Sequence, residues 1–243
     1  MNLVIDVGNT FVKFAVFQGD ELIFKTSLEE QVFQKEFEII LETYPKIESC
    51  IISSVGKLNE TAVKEVKKRL NVLELHSETK MPFKNLYGTP KTLGVDRLAL
   101  VSAASKQFSG KHALVIDAGT CITYDFISKD NSYLGGAISP GIRMRYQSLN
   151  NLTANLPLLN TKYPEHFIGN TTEQAIHSGI IFGVLSEMDG IIALYKEKYS
   201  DLTVILTGGD ANFLSKQLKS SIFANSNFLL EGLNHILQFN STE

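Results

Sequence analysis

Two short segments carry residue types suited to holding phosphate. Asp6-Val7-Gly8-Asn9-Thr10 ends an apolar run that starts at Leu3, and Asp117-Ala118-Gly119-Thr120 ends a second run that starts at His112. A carboxylate at the end of a buried strand is costly unless it is paired or metal-bound. A glycine two positions later lets backbone N–H groups approach an anion. Asn9, Thr10 and Thr120 add side-chain donors, and Lys13 on the next predicted strand can reach a phosphate as a point charge. One such turn alone reads equally well as a β-turn built from Asp and Gly, with Lys13 a solvated strand residue. The repeat favours the phosphate reading. Two strand-borne turns facing one crevice would grip a polyphosphate from both sides, with the carboxylates holding cations.

Other candidates are weaker one by one. Asp96 and Arg97 stand in the first turn of a predicted helix, where the helix dipole favours an acid for purely structural reasons as well. Tyr87 lies in a loop over 78–94 that contains Pro82, Gly88 and Pro90; long ordered loops often carry function. Thr171 with Gln174 fits a capping box at a helix start. Gly208 and Gly209 follow a predicted strand and would let backbone approach a ligand, or simply make a turn. The two cysteines, Cys50 and Cys121, have no CxxC spacing, and the five histidines show no zinc pattern. Both cysteines read as small buried hydrophobes.

The elements that must position these residues repeat in order. Strands are expected over 3–7, 11–17 and 22–26, with Gly19-Asp20 as a hairpin turn. A helix over 30–44 ends at Pro45, a strand spans 49–55, Asn59 caps a helix over 60–70, and a strand covers 72–75. A helix over 95–108 rich in Ala and Ser follows the loop. After Gly110 the pattern restarts with strands over 112–118, 121–128 and 133–138, a helix over 141–149, a long helix over 172–199, a strand over 202–206 and two C-terminal helices. Strands first and helices later, twice, predict two α/β lobes, residues 1–110 and 111–243, facing across a cleft. The helix over 172–199 is apolar almost all round, and Gly179 and Gly183 would admit a second helix, either at a subunit interface or within one core.

Composition narrows the classes. Of 243 residues 44% are hydrophobic and 20% charged, which suits a soluble globular protein with a sizeable core. The net charge of −3 and the lack of a basic block argue against nucleic acid. The first residues reach Asp6 without the basic start of a signal peptide, and no apolar run approaches the ~18 residues of a membrane span. A cytoplasmic, reducing location is expected.

The paired turns resemble the phosphate motifs of the superfamily that holds acetate kinase, sugar kinases, heat-shock chaperones and actin. Its members share duplicated RNase H-like lobes, the actin-like ATPase fold, with an interlobe cleft. Thr207-Gly208-Gly209-Asp210-Ala211 resembles that superfamily's adenosine motif. Within it, Tyr87-x-x-Pro90-x-x-Leu93-Gly94-x-Asp96-Arg97 is similar to the pantothenate-binding segment of type III pantothenate kinases. Gly135-Gly136-x-Ile138-x-Pro140-Gly141 resembles their glycine-rich signature, and Asn170-Thr171-Thr172-Glu173-Gln174-Ala175-Ile176 the helix start that supplies a substrate contact. The resemblance spans nearly the whole chain in the family's order.

This resemblance implies transfer of the γ-phosphoryl group of ATP to pantothenate, giving 4′-phosphopantothenate on the way to coenzyme A. It implies that Asp96 is the base for the substrate's primary hydroxyl, and that Tyr87, Gly94, Val95, Asp96 and Arg97 line the pantothenate site. By its charge Arg97 could pair with the substrate carboxylate, or with a structural acid. It further implies that Asp6, Val7, Gly8, Asn9, Thr10, Phe11, Val12, Lys13 and Thr120 hold ATP. Asp117 would bind a monovalent cation, potassium or ammonium, and Asp6 would hold Mg2+ through water. Thr172 would contact pantothenate from the neighbouring subunit of a homodimer. Two rivals stand beside this reading: a kinase of the same fold for another hydroxyl substrate, and a non-catalytic accessory factor for transcription.

Overall fold

The computed structural model describes residues 1–8, 11–54 and 59–241. In chain order the elements are β1 (Asn2–Val7), β2 (Val12–Gln18), β3 (Glu21–Leu28), a 3-10 turn (Glu30–Val32), α1 (Phe33–Thr43), β4 (Ser49–Ser54), α2 (Glu60–Arg69), β5 (Asn71–Glu74), β6 (Lys84–Asn85), a second 3-10 turn (Pro90–Thr92), α3 (Val95–Gln107), β7 (Ala113–Ala118), β8 (Cys121–Ile127), β9 (Ser132–Pro140), α4 (Ile142–Asn151), α5 (Thr172–Lys198), β10 (Thr203–Thr207), α6 (Ala211–Ser215), β11 (Phe223–Ala224) and α7 (Phe228–Ser241). They group into two compact units. One holds Met1–Ser109, Asn131–Tyr133 and Asn227–Glu243, the other Gly110–Asp130 and Leu134–Ser226.

The first unit is built on a sheet in the order β3-β2-β1-β4-β5. β1 runs antiparallel to β2 and parallel to β4. Strand side chains alternate between faces, and the alternation sorts the core. Leu3, Ile5, Val7, Phe14, Val16, Cys50 and Ile52 lie on one face with Phe33, Phe37 and Ile40 of α1 and Val66 of α2. Val4, Ala15, Phe17 and Ile51 lie on the other with Ala99 of α3 and Leu230, Leu233, Ile236 and Leu237 of α7. Gly19, at φ +60°, turns β2 into β3 where a side chain would be strained. The Asn59 side chain accepts the Thr61 N–H at 2.9 Å, capping α2 as its sequence predicts.

In the second unit β10 and β7 are parallel and β7 and β8 antiparallel, within the order β11-β10-β7-β8-β9. Leu114, Ile116, Ala118, Ile122, Tyr124, Phe126, Val204 and Leu206 cover one face with Ile176, Ile180, Ile181, Val184, Met188 and Ile192 of α5. Gly136 is required in β9 because an added Cβ would lie 1.5 Å from the Tyr124 carbonyl oxygen.

The expected pair of C-terminal helices is present as α6 and α7, with the short β11 between them. Three features differ from the sequence reading. The loop over 78–94 contains β6 and a 3-10 turn. α7 groups with the first unit instead of falling within 111–243, because its apolar stripe fits the α3 face of that unit's sheet. α5 is long and apolar enough to cross a membrane by length and composition, although no such run stood out. One side of α5 supplies the second core, and the other is a stripe of exposed small residues, Ala175, Gly179, Gly183, Ser186 and Gly190. Strand 49–55 ends at Ser54 among the described residues, and Val55 lies outside them.

Gly232 lets α7 approach α3 closely, since an added Cβ would sit 1.9 Å from the Ala99 carbonyl oxygen. Gly232→Ala is therefore expected to destabilise the protein by about 1–3 kcal/mol through overpacking, although alanine is the better helix former. Urea unfolding reads the change.

Candidate active site

The face of the first sheet that carries α3 and α7 also carries Asp6. By alternation from Val4, Asp6 points there, as do Lys13 from Ala15 and Ser53 from Ile51. The ladder sets Asp6 opposite Lys13 on β2 and opposite Ser53 on β4. Asp6 is 4% exposed, and Lys13 Nζ donates to its Oδ2 at 3.2 Å. Burial pushes the Asp6 carboxyl above its ordinary range; Lys13 opposes that push, and the Asp96 carboxylate adds to it by repulsion. Asp96 therefore stands close enough to Asp6, within the first unit, for its charge to act there. The Ser53 hydroxyl is buried and makes no hydrogen bond among the described residues. A buried orphan oxygen beside a carboxylate suits a hard, oxygen-liganded cation or its water shell.

Asp96 is the second residue of α3 and half-buried, and its Oδ1 accepts the Arg97 N–H at 2.8 Å. Gly94 precedes the helix with no side chain, which leaves Asp96 Oδ1 the space that a Cβ would fill at 2.3 Å. Arg97 is 5% exposed, and its guanidinium lies over the Tyr87 ring at 5.4 Å from the centroid. Burying a guanidinium is costly, and the ring face offsets part of that cost. Val95 is half-buried beside them.

Not every residue of the first motif offers a side chain. Val7 and Val12 pair across β1 and β2 and face the α1 and α2 core, so only their backbone is available to a ligand. The Gly8 N–H donates to the Phe11 carbonyl at 3.1 Å, and Phe11 is half exposed. Asn9 and Thr10 lie outside the described residues.

The second unit repeats the arrangement. Asp117 stands opposite Thr123 on β8 and Thr207 on β10, on the face away from α5. Thr123 holds the register that Lys13 holds in the first unit, so the second turn has no lysine. The Thr123 hydroxyl, like that of Ser53, is buried without a hydrogen bond among the described residues. Its donors are oxygens only, a set that suits a hard cation. Gly208, at φ +97°, passes close to Asp117, where an added Cβ would meet Asp117 Oδ1 at 2.3 Å. The Asp210 N–H donates to the Ala118 carbonyl at 2.9 Å, which brings the two-glycine turn against the second aspartate turn. Burial raises the Asp210 carboxyl. Thr120 is exposed, and its carbonyl accepts the Gly141 N–H at 3.1 Å.

Arg145 and Glu187 are two residues that sequence reasoning missed here. Arg145 donates to the Pro140 carbonyl, to Ser139 Oγ at 3.0 Å and to Glu187 Oε2 at 2.6 Å, and Tyr124 donates to Glu187 Oε1 at 3.0 Å. Burial pushes the Glu187 carboxyl up, but the bonds from Arg145, Ser139 and Tyr124 outweigh it and hold it below its usual range. The network fixes the strand end that delivers Gly141 to Thr120. No local motif announces such a pair. Thr171 caps α5 by accepting the Gln174 N–H at 3.2 Å, the Gln174 side chain accepts the Asn170 N–H at 3.2 Å, and Thr172 is exposed at the first helical position.

A sequence model of the family described as type III pantothenate kinase matches residues 2–194. The type III pantothenate kinase of Christiangramia forsetii is 53% identical over 243 residues, which covers 100% of both chains. Among solved structures, a conserved Campylobacter jejuni protein assigned to the Baf family of transcriptional activators matches with a TM-score of 0.64 at 23% identity, over 99% of this chain and 100% of that one. A glucokinase from an Antarctic psychrotroph matches with a TM-score of 0.53 at 13% identity, over 98% of each chain. At these identities the structural likeness speaks to fold alone, and the fold is a duplicated actin-like α/β fold.

The folded state holds the Asp6 proton more tightly than an unfolded chain does. Stability therefore falls as pH rises from the ordinary carboxylate value of 3.8 through the raised one. Asp6→Asn is expected to melt higher than the unaltered protein at pH 7, with the gap closing towards pH 4, and to lose activity. Thermal melting across that pH range, beside a turnover assay, checks both halves.

Proposed function

The chain belongs to the type III pantothenate kinase family, and on that premise we propose how its own residues carry out the transfer of the γ-phosphoryl group of ATP to pantothenate. Asp96 accepts the proton of the primary hydroxyl as its oxygen forms the bond to the γ-phosphorus and the bond to the ADP oxygen breaks. Phosphoryl transfer needs positioning and charge neutralisation more than covalent chemistry. What supports this reading is the register that sets the buried Asp6 against Lys13 on the sheet face that α3, with Asp96 in its first turn, packs against. It brings a proton acceptor and a phosphate cradle to one face.

Residues 6–13 hold the ATP phosphates through Lys13 and backbone N–H groups, and Thr120 adds a contact. Tyr87, Gly94, Val95 and Arg97 receive pantothenate, Arg97 taking its carboxylate. Asp6 with the Ser53 hydroxyl fits Mg2+ held through water. Asp117 with Thr123 fits a monovalent cation, potassium or ammonium, since the lysine of the first turn has no counterpart there. Bound cations neutralise phosphate charge as it moves in the transition state. An enzyme acting on ATP and a small acid belongs in the cytoplasm.

A homodimer completes the reading. The exposed stripe of α5 has open space where Gly179, Gly183 and Gly190 would carry a Cβ. Leu194, at 68% exposure, adds apolar surface on the same helix, as do Phe167 and Ile168 just before it at 74% and 79%. A second copy of α5 fits such a stripe, and Thr172 then reaches the partner's pantothenate.

Asp96→Asn is expected to lower kcat by roughly 10²- to 10⁴-fold, the range for losing a general base, while the variant remains folded. A coupled ADP-release assay reads it; full rate in the variant rejects the assignment. Asp117→Asn is expected to abolish activation by potassium or ammonium, measured as rate against cation concentration. Gly183→Arg is expected to yield a folded monomer with little activity, read by sedimentation velocity; an unchanged dimer contradicts the interface.

A further inference from the structure

Tyr133 is placed by nothing in the motifs, yet the loop that carries Tyr87 is built on it. Residues 131–133 group with the first unit although β8 and the rest of β9 do not. β6 adds to this short segment in parallel, Lys84 beside Ser132 and Asn85 beside Tyr133. The Lys84 N–H donates to the Asn131 carbonyl at 2.9 Å, and the Leu86 N–H to the Tyr133 carbonyl at 2.9 Å. Asn131, at φ +56°, takes the left-handed turn that Asn tolerates, and its Nδ2 donates to the Pro82 carbonyl at 2.8 Å. The loop over 82–87 is thus tied by backbone at three points.

Side chains complete the attachment. Tyr133 is fully buried. Phe83 meets its ring edge-on at 6.1 Å, and Tyr87 stacks on it at 5.9 Å with the planes 17° apart. The Arg97 guanidinium lies over Tyr87 in turn. Tyr133, Tyr87 and Arg97 form one chain of contacts, in which the position of the outer two depends on the inner ring. Stacked aromatics prefer offset geometry within about 4.5–7 Å, so replacing the inner ring with an aliphatic side chain removes the constraint on the tilt of Tyr87.

The geometry points to Tyr133 as a positioning residue that sets the pantothenate-binding geometry of Tyr87 and Arg97 without touching the substrate. This rests on the pantothenate-binding role given above to Tyr87 and Arg97.

The test is steady-state kinetics of the full-length enzyme, with pantothenate and ATP each varied. Tyr133→Leu is expected to raise the pantothenate KM by roughly 2- to 10-fold, the range for losing one aromatic pair, with the ATP KM unchanged. Tyr133→Phe keeps the ring and is expected to leave the pantothenate KM unchanged. Asn131→Ala, which loosens the loop without opening the core, is expected to raise the pantothenate KM less and decides the matter if Tyr133→Leu does not fold. An unchanged pantothenate KM in folded Tyr133→Leu, or an equal rise in both KM values, overturns the inference. Arg97→Met separates the two readings. If it leaves the pantothenate KM unchanged, the underlying site assignment fails; if it raises that KM while the Tyr133 and Asn131 variants do not, only the positioning role fails.

Discussion

Asp6 is 4% exposed at the end of a central strand, and its carboxylate is tolerated there because Lys13 lies 3.2 Å away. A buried carboxylate with one partner is a poor way to stabilise a fold. Its burial cost, repulsion from Asp96 and one partly exposed lysine leave it with a raised affinity for a proton. Such a group persists where a ligand completes its surroundings, and the unbonded Ser53 hydroxyl beside it makes the same point. Such surroundings suit a ligand-binding site, and the surrounding elements hold these groups in place.

Strand alternation does the holding. In β1, Leu3, Ile5 and Val7 anchor the strand against α1 and α2, and the same alternation turns Val4 and Asp6 to the face of α3. In β7, Leu114, Ile116 and Ala118 anchor against α5, and Asp117 faces away. Core and site are therefore specified together. A one-residue slip of β1 would bury the apolar side chains on the wrong face and carry Asp6 away from Asp96. Each buried aliphatic contributes about 1.5–3 kcal/mol to keeping the register. The duplicated fold uses this device twice with one difference, Lys13 in the first unit against Thr123 in the second, and on the proposed function that difference would separate a phosphate cradle from an oxygen-lined cation cradle.

Much of this was legible in the residues. The two Asp-x-Gly turns end strands as expected, because apolar runs ended by glycine leave few other structures open. The helix starts at Asn59 and Thr171 followed from side chains that satisfy orphan N–H groups, a local matter. Tertiary choices were not legible. β6 and β11 are two residues each, and only their partners make them strands. The place of α7 follows from Gly232 meeting Ala99, a contact between residues far apart in sequence. Ser53, Thr123, Tyr133, Arg145 and Glu187 belong to the site by register or packing, and no spacing rule marks them. The small stripe of α5 was visible as Gly179 and Gly183, but only the buried side of the helix revealed which face it occupies.

The account stands on Asp6, Lys13 and Asp96 acting as one site for phosphate and acceptor. A crystal structure with a non-hydrolysable ATP analogue and pantothenate tests this most directly. The account predicts the primary hydroxyl of pantothenate within hydrogen-bond distance of an Asp96 carboxylate oxygen, with phosphate oxygens on Lys13 and the backbone of the first turn. Pantothenate seated with that hydroxyl turned from Asp96, or phosphates bound away from residues 6–13, would contradict it.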